Sequence, residues 1–460
     1  MSSSPLISGR GLDDVFARRA SGPVSVREFL ADAHALAAQL PAGGWQLNLC
    51  DDRYHFAVGF VAGLLAGKVS LQPSSQSPET LQRLAADHPG TSWLADKPTD
   101  NPADKPADKP AHVAGLPGTV FPDLATLSRP AVHEMPQIDD GQTVAILFTS
   151  GSTGLPQPHR KTWGKLVLNG RAEAHALGLL QRPQCIVGTV PTQHSYGFES
   201  TLLVALHGGC QFAAAKPFYP QDIVAALQAL PRPRMLVTTP FHLAALLASE
   251  LPVPPLDLVL CATAPLSPDL ARRAEARCGA PVHEIYGSTE SSALASRRTL
   301  DGLAWHPLRS VRLDQAGDTT CASGGHIEGR VPLADVIELC ADGTFLLHGR
   351  HADLVNIAGK RTSLAYLNHQ IGALPGVLDA AFFLPDGAEA ADGVTRLSAF
   401  VVAPSSNVRA ILAGLRQRLD AIFLPRPLVL VEALPRNATG KLTRHALQGL
   451  YAEKVVHGRG

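Results

Sequence analysis

Between about residues 144 and 286 the chain alternates short apolar, β-branched runs with segments of helix length, and this rhythm constrains the fold more than any other feature. Runs at 144–148, 185–191, 235–239, 256–261 and 282–286 read as strands, and segments at 199–207, 221–230, 241–249 and 268–278 read as helices. Alternation of this kind puts helices on the faces of a mainly parallel, doubly wound α/β sheet. Ligands of such sheets bind beyond the carboxyl ends of the strands.

The rhythm begins earlier. Ser25-Val26-Arg27-Glu28 is a capping box, and Val26, Phe29, Leu30, Leu36, Ala37 and Leu40 follow at helical spacing. A strand is expected at 45–49, a buried Gly- and Ala-rich helix at 56–67, and a strand at 69–72. Downstream, 303–349 is β-rich, with Asp342-Gly343 as a hairpin turn. The rest reads as small and α+β, with strands near 380–384, 398–402 and 428–431 and a helix over 408–419. The expected fold is therefore α/β. A large N-terminal domain over 1–350 carries doubly wound sheets and a β-rich subdomain, and a small α+β C-terminal domain covers 351–460.

One segment interrupts this order. Residues 95–110 hold four near-copies of a tetrapeptide ending in Pro98, Pro102, Pro106 and Pro110. Proline at every fourth position forbids both helix and central strand, so a solvated, extended insert is expected.

The strand at 144–148 runs into Thr149-Ser150-Gly151-Ser152-Thr153-Gly154, six residues that are all Gly, Ser or Thr. Such a loop offers backbone N–H groups and hydroxyls with little bulk, which suits a phosphate chain. Pro156 and Pro158 limit how the chain leaves it. No Lys follows Gly154, so it is not a Walker loop, and no Gly-x-Gly-x-x-Gly is present. Alone, it also reads as a flexible surface loop. A second polar cluster, Tyr286-Gly287-Ser288-Thr289-Glu290, joins a ring, two hydroxyls and a carboxylate able to hold Mg²⁺, or is an ordinary strand-end turn. Asp335 precedes Arg350 by fifteen positions, and Gly359-Lys360-Arg361 follows. Last comes Pro435, then Gly440-Lys441, then Arg444; an isolated Gly-Lys is ordinarily a solvated surface charge.

Composition narrows the function classes. Lys plus Arg and Asp plus Glu are both 40, so net charge gives no reason to expect a nucleic-acid or charge-driven membrane partner. Seven dispersed cysteines without a Cys-x-x-Cys suit reduced thiols of a cytoplasmic protein. The first residues lack a basic region followed by an apolar core, so no signal peptide is expected. The longest apolar run, 56–67, is too short to span a bilayer.

In this order and spacing the four motifs resemble the adenylate-forming (ANL) superfamily of acyl-CoA synthetases, peptide-synthetase adenylation domains and luciferases, over about 26–447. The resemblance implies an acyl- or aryl-acid AMP ligase using ATP and Mg²⁺. Thr149, Ser150, Gly151, Ser152, Thr153 and Gly154 would cradle the β- and γ-phosphates, with Thr153 beside the metal. Thr289 would meet the α-phosphate and Glu290 would bind Mg²⁺. Tyr286, with Gly287, and the Thr263-Ala264-Pro265 turn would enclose adenine. Asp335 would accept the ribose hydroxyls, Arg350 would hold the nucleotide, and Arg361 would lie near the α-phosphate. Lys441 would reach the carboxylate and α-phosphate, on a C-terminal domain that rotates after the first step. His194, in Pro191-Thr192-Gln193-His194-Ser195-Tyr196-Gly197, would line the acyl pocket.

Three positions depart from the family pattern. Gln157 replaces a usual Lys, with Arg160 and Lys161 the nearest cations; Ala352 stands at the usual hinge acid or Lys, with Asp353 next; and Asn356 stands where many members carry Lys. An α-amino acid substrate is disfavoured, because 191–203 hold no Asp and only one acid, Glu199. Tyr196 and Phe198 suit an aromatic or medium acyl acid. The phrases at 48–56 and 359–364 resemble compact ligases of aryl-polyene and xanthomonadin-type pigment clusters. That resemblance implies a hydroxybenzoate-like acid loaded onto the phosphopantetheine thiol of an acyl carrier protein. An aryl- or medium-chain acyl-CoA ligase is the alternative, and a non-catalytic nucleotide- or acyl-binding regulator the remote one.

Overall fold

The structure, a computed structural model, describes residues 2–73, 76–96, 115–150, 156–317, 319–350, 354–357, 360–385, 396–436 and 442–456. Two mixed sheets dominate the first 310 residues. A six-stranded sheet runs in the order Pro156–Thr162, Thr143–Ser150, Val69–Gln72, Trp45–Asn48, Thr91–Ala95, Gly118–Val120. All its pairings are parallel except that of Pro156–Thr162 at the edge. A nine-stranded sheet runs His306–Pro307, Ser292–Arg298, Val282–Ser288, Leu258–Cys261, Arg234–Thr238, Cys185–Gly188, Gln211–Ala213, Val15–Arg19, Gly22–Ser25. Its central strands are parallel, as the alternation predicts. The expected α/β architecture is present.

Helix Val26–Ala37 opens with both bonds of the Ser25–Glu28 capping box. The helix expected over 56–67 is Arg53–Leu65, starting three residues early because Asp52 caps it by accepting from the His55 N–H at 2.9 Å. Arg53 looks like a surface residue in the sequence. It is instead fully buried, and its guanidinium donates to Gly188 O at 2.8 Å and Thr192 Oγ1 at 3.1 Å. Burial pulls its pKa down to about 10.

The two prolines after the Gly/Ser/Thr loop do not merely end it. Pro156–Thr162 is a strand pairing antiparallel with Thr143–Ser150, which the sequence reading does not anticipate. An edge strand has one unpaired side, where a missing N–H costs nothing. The expected insert at 95–110 also begins too early: Ala95 closes strand Thr91–Ala95, and Asp96 is an anchor. The Asp96 carboxylate accepts the N–H groups of Asp51 and Asp52, at 2.6 and 2.9 Å, and pairs with His55 Nδ1 at 2.7 Å. Residues 97–114 lie outside the described residues.

Beyond residue 310 the chain is β-rich as expected. Asp335–Leu339 and Phe345–Arg350 form a hairpin whose turn carries Gly343 at φ 84°. The C-terminal part has its own sheet, Asp379–Phe383, Ser398–Val402 and Leu428–Leu430, over a core including Leu367, Ile371, Phe382, Val401, Ile411 and Leu415. All seven cysteines are free, and six are buried. Among the described residues no helix is long and apolar enough to cross a membrane.

Helix Trp163–Ala176 lies against the helical stretch Phe198–Leu203 and Val204–His207. Glu173 is buried in this contact, and neither carboxylate oxygen has a hydrogen-bond partner. Burial pushes its pKa up to about 8. The folded chain therefore keeps a proton that the unfolded chain releases near the ordinary glutamate value. Stability falls as pH rises between those two values and levels off above about 8. Glu173→Gln is expected to be nearly neutral at pH 5 and to stabilise by about 2–4 kcal/mol at pH 8. Urea denaturation at both pH values checks this, and parallel pH profiles for variant and wild type would contradict it.

Candidate active site

The carboxyl ends of strands from both sheets converge on one place. Strand Thr143–Ser150 delivers Thr149 and Ser150 there, and Gly151, Ser152, Thr153 and Gly154 lie outside the described residues. In the paired edge strand, His159 turns its ring back so that Nε2 lies 3.1 Å from Thr149 Oγ1. The same nitrogen is 3.8 Å from Glu290 Oε1, which comes from the other sheet.

Glu290 sits in a tight turn between strands Val282–Ser288 and Ser292–Arg298. The pairing shifts register at Tyr286/Gly287, and a Cβ on Gly287 would lie 2.3 Å from the Ser292 carbonyl oxygen, so only glycine fits. Ser288 and Ser291 bond to each other across the turn, with hydroxyls 3.0 Å apart. Burial pushes the Glu290 carboxyl up. A backbone N–H, the Ser288 hydroxyl and the charges of His159 and Lys161 outweigh it and hold the group below its ordinary value. Glu290 is thus a carboxylate at neutral pH. Burial, against the upward pull of Glu290 and with help from the Lys161 charge, shifts His159 down, and it is a neutral imidazole there.

Thr289 Oγ1 donates to Ser195 Oγ at 3.4 Å, which joins the Glu290 turn to the turn that carries His194. His194 caps the short helix Ser195–Gly197, its Nδ1 accepting from the Tyr196 N–H at 3.2 Å. Tyr196 and Phe198 are not available as the sequence suggests. The Tyr196 hydroxyl bridges Leu260 O at 2.9 Å and Thr238 O at 3.1 Å, and Phe198 is fully buried edge-on to Phe60. Glu199 is buried too and accepts the Ala293 N–H at 2.9 Å.

Tyr286 lies beside Trp305 and Phe345, and its hydroxyl donates to Asp335 Oδ2 at 2.8 Å. Asp335 stands directly opposite Arg350 in the hairpin register. The fifteen-residue spacing read from the sequence is thus the geometry of two paired strands and their turn. The Thr263-Ala264-Pro265 turn follows strand Leu258–Cys261, the neighbour of strand Val282–Ser288. Thr263 has φ 79°, a costly conformation for a β-branched residue, and its buried hydroxyl has no partner. A strained residue with an orphaned hydroxyl at a strand end is suited to contact a ligand. Glu284 braces the turn, accepting from the Leu266 N–H at 3.3 Å while pairing with Arg297 at 2.6 Å.

The structure thus brings together Thr149, Glu290, Thr289 and His194, and separately Tyr286, Gly287, Asp335 and the backbone of Arg350. Arg361 lies in strand Lys360–Ser363 opposite Asn356. Lys441 and Ala352 lie outside the described residues. Their flanks are placed: Arg436 and Leu442 form an antiparallel bridge, and Arg436 pairs with both oxygens of Asp379 at 2.7 and 2.8 Å. His159 escaped the sequence reading as a site residue, and Lys161 entered it only as a cation near the loop, whereas its ammonium is turned into the interior. Their signal was the two-residue alternation 157, 159, 161 along one strand face.

Residues 14–320 match the AMP-binding enzyme family. The chain belongs to that family, and within it is an AMP-forming acid–thiol ligase. It is 28% identical to the 4-coumarate–CoA ligase of Rhodobacter capsulatus over 302 residues, which cover 65% of this chain and 74% of that protein. It is 24% identical to a salicylyl-CoA synthase / salicylate adenylyltransferase from Streptomyces over 396 residues, 74% of this chain and 70% of the relative. ATP-bound MatB from Rhodopseudomonas palustris shares the fold, with a TM-score of 0.78 at 21% identity over 96% of this chain and 97% of that one.

Proposed function

We propose that this protein uses ATP to activate an aryl carboxylic acid as its acyl-adenylate and then transfers the acyl group to the thiol of coenzyme A. The observation that carries the reading is the meeting of an ionised Glu290 with the Thr149 end of the loop strand, while Thr289 of the same turn touches the His194 turn. Nucleotide phosphates and the acid's carboxylate can approach one another there. The aryl acid and the CoA acceptor are supported by the activities for which the coumarate and salicylate relatives are named. Those names favour CoA over the carrier protein suggested by residues 48–56 and 359–364.

The residues fit the nucleotide. The unpartnered Thr263 hydroxyl offers a polar contact at the adenine turn, and Asp335 stands beside Tyr286. They also fit Mg²⁺ of one kind. Among the described residues no cluster of three His, Cys, Asp or Glu side chains can hold a metal, so Glu290 would supply one ligand to an ion held mainly by phosphates and water. Such an ion would supply positive charge to the phosphates.

In the first step a carboxylate oxygen of the acid attacks the α-phosphorus, and the bond from that phosphorus to pyrophosphate breaks. Two anions meet, so cations are needed where charge accumulates, and we assign Lys441 that place. Thr289 orients the α-phosphate. In the second step the thiolate attacks the acyl carbonyl, and the carbon–oxygen bond to AMP breaks. Rotation of the C-terminal domain about the 350–353 region, withdrawing Lys441, would open the thiol path.

A hydroxylamine-trapping panel of benzoates, cinnamates and fatty acids tests the acid, followed by CoA against a phosphopantetheinylated carrier protein as acceptor. Aryl hydroxamates and aryl-CoA as the faster thioester are expected. Trapping with fatty acids alone would overturn the aryl reading, and turnover with carrier protein alone would overturn the CoA reading.

A further inference from the structure

The edge strand Pro156–Thr162 carries Gln157, His159 and Lys161 on one face, running from solvent into the interior. Lys161 is 3% exposed, yet among the described residues no acid lies at contact distance from its ammonium, although a buried lysine usually has one. Its ammonium instead donates to Ser292 Oγ at 2.8 Å and to the Glu290 carbonyl oxygen at 3.4 Å. Both acceptors belong to the turn that carries Glu290. Ser292 has φ 60°, a left-handed conformation that a non-glycine residue keeps only when its surroundings hold it.

Other buried groups reach the same turn. Glu199 accepts the Ala293 N–H at 2.9 Å, and His326 Nε2 donates to the Ala293 carbonyl oxygen at 2.5 Å. The Lys161 charge lowers the pKa of Glu199 against the rise that burial imposes, so the two charges stabilise each other. Lys161 belongs to the six-stranded sheet and the Glu290 turn to the nine-stranded one. The loop after Thr149 and the Glu290 carboxylate therefore arrive from different sheets, and their spacing is no property of either sheet alone.

We propose that Lys161 is a positioning residue, whose ammonium holds the 290–292 turn from beneath and so fixes Glu290 relative to the Thr149 end of the loop strand. The proposal rests on the adenylating function assigned above. The competing role is that of a buried charge pair that matters only for stability, since such pairs are often replaceable by neutral side chains.

The test uses the full chain as wild type, Lys161→Met and the double variant Lys161→Met/Glu199→Gln. The single variant strands a buried carboxylate and is expected to lose stability. The double variant removes both charges, keeps similar volumes, and leaves an amide oxygen for the Ala293 N–H, so its Tm returns close to that of wild type. Activity does not return with it. Acid-dependent ATP–pyrophosphate exchange stays about 10- to 100-fold below wild type, the range typical for groups that orient a metal ligand. Thioester formation from a preformed acyl-adenylate stays near wild type, and deuterium exchange of the 288–293 amides speeds up without ligand. A folded double variant with wild-type pyrophosphate exchange, or with unchanged 288–293 amides, overturns the proposal. If wild type itself forms no adenylate with any acid, the proposed function fails, and the amide exchange still decides whether Lys161 holds the turn.

Discussion

Lys441→Ala is expected to lower acid-dependent pyrophosphate exchange by about 10²- to 10³-fold, as removal of one preorganised charge-stabilising group does elsewhere. It is expected to leave thioester formation from a synthetic acyl-adenylate within about threefold of wild type, because only the first step brings two anions together at the α-phosphorus. The described part of the first-step site is rich in anion-binding and neutral groups. Glu290 is a carboxylate, His159 a neutral imidazole, and Lys161 is turned into the interior beneath the Glu290 turn. Arg160, the other cation close to the loop, donates to Thr143 Oγ1 at 2.5 Å, away from it. The compensating positive charge then has to come from outside this cluster, and Lys441 is the residue we assign. On either side of it, Arg436 and Leu442 form an antiparallel bridge, and Arg436 pairs with Asp379. Separate rates for the two half-reactions check the prediction. Equal losses in both would remove Lys441 from the role.

Glu290→Gln is the second large effect. The substitution keeps shape and polarity and deletes one charge. Loss of about 10²-fold in the adenylation rate is expected, with a rise in the Mg²⁺ concentration needed for half-maximal rate. Folding should change little, because the turn is held by Ser288, Ser291, Lys161 and Glu199 through atoms other than the Glu290 carboxylate. A magnesium titration of pyrophosphate exchange separates the outcomes. An unchanged magnesium dependence with a lowered Tm would make Glu290 a structural residue only.

What could be read in the sequence was what local chemistry decides. The Ser25–Glu28 capping box formed as written, because both of its bonds lie within one helical turn. The Asp335–Arg350 spacing was informative because a hairpin converts a sequence interval into a facing pair. The parallel strands at 185–188, 234–238 and 258–261 were legible from mainly apolar runs, since strands covered on both faces need no polar alternation. What could not be read depends on contacts between distant segments. Pro156 and Pro158 argue against a strand unless one knows it lies at an edge. The burial of Arg53 and Lys161 has no signal in the sequence, because only the fold supplies the carbonyls and hydroxyls that let them be buried. Tyr196 looked free to contact an aromatic acid until strands 234–238 and 258–261 delivered the carbonyls its hydroxyl bridges.

The central claim is that one site forms an acyl-adenylate and then discharges it to a thiol. Rapid quench of the enzyme with ATP, Mg²⁺ and a hydroxybenzoate or cinnamate, without thiol, tests it most directly. The account predicts one enzyme equivalent of acyl-adenylate and pyrophosphate, stable until CoA is added and then converted to AMP and aryl-CoA in equal amounts. Release of ADP and phosphate, or AMP production that does not depend on the acid, would contradict it.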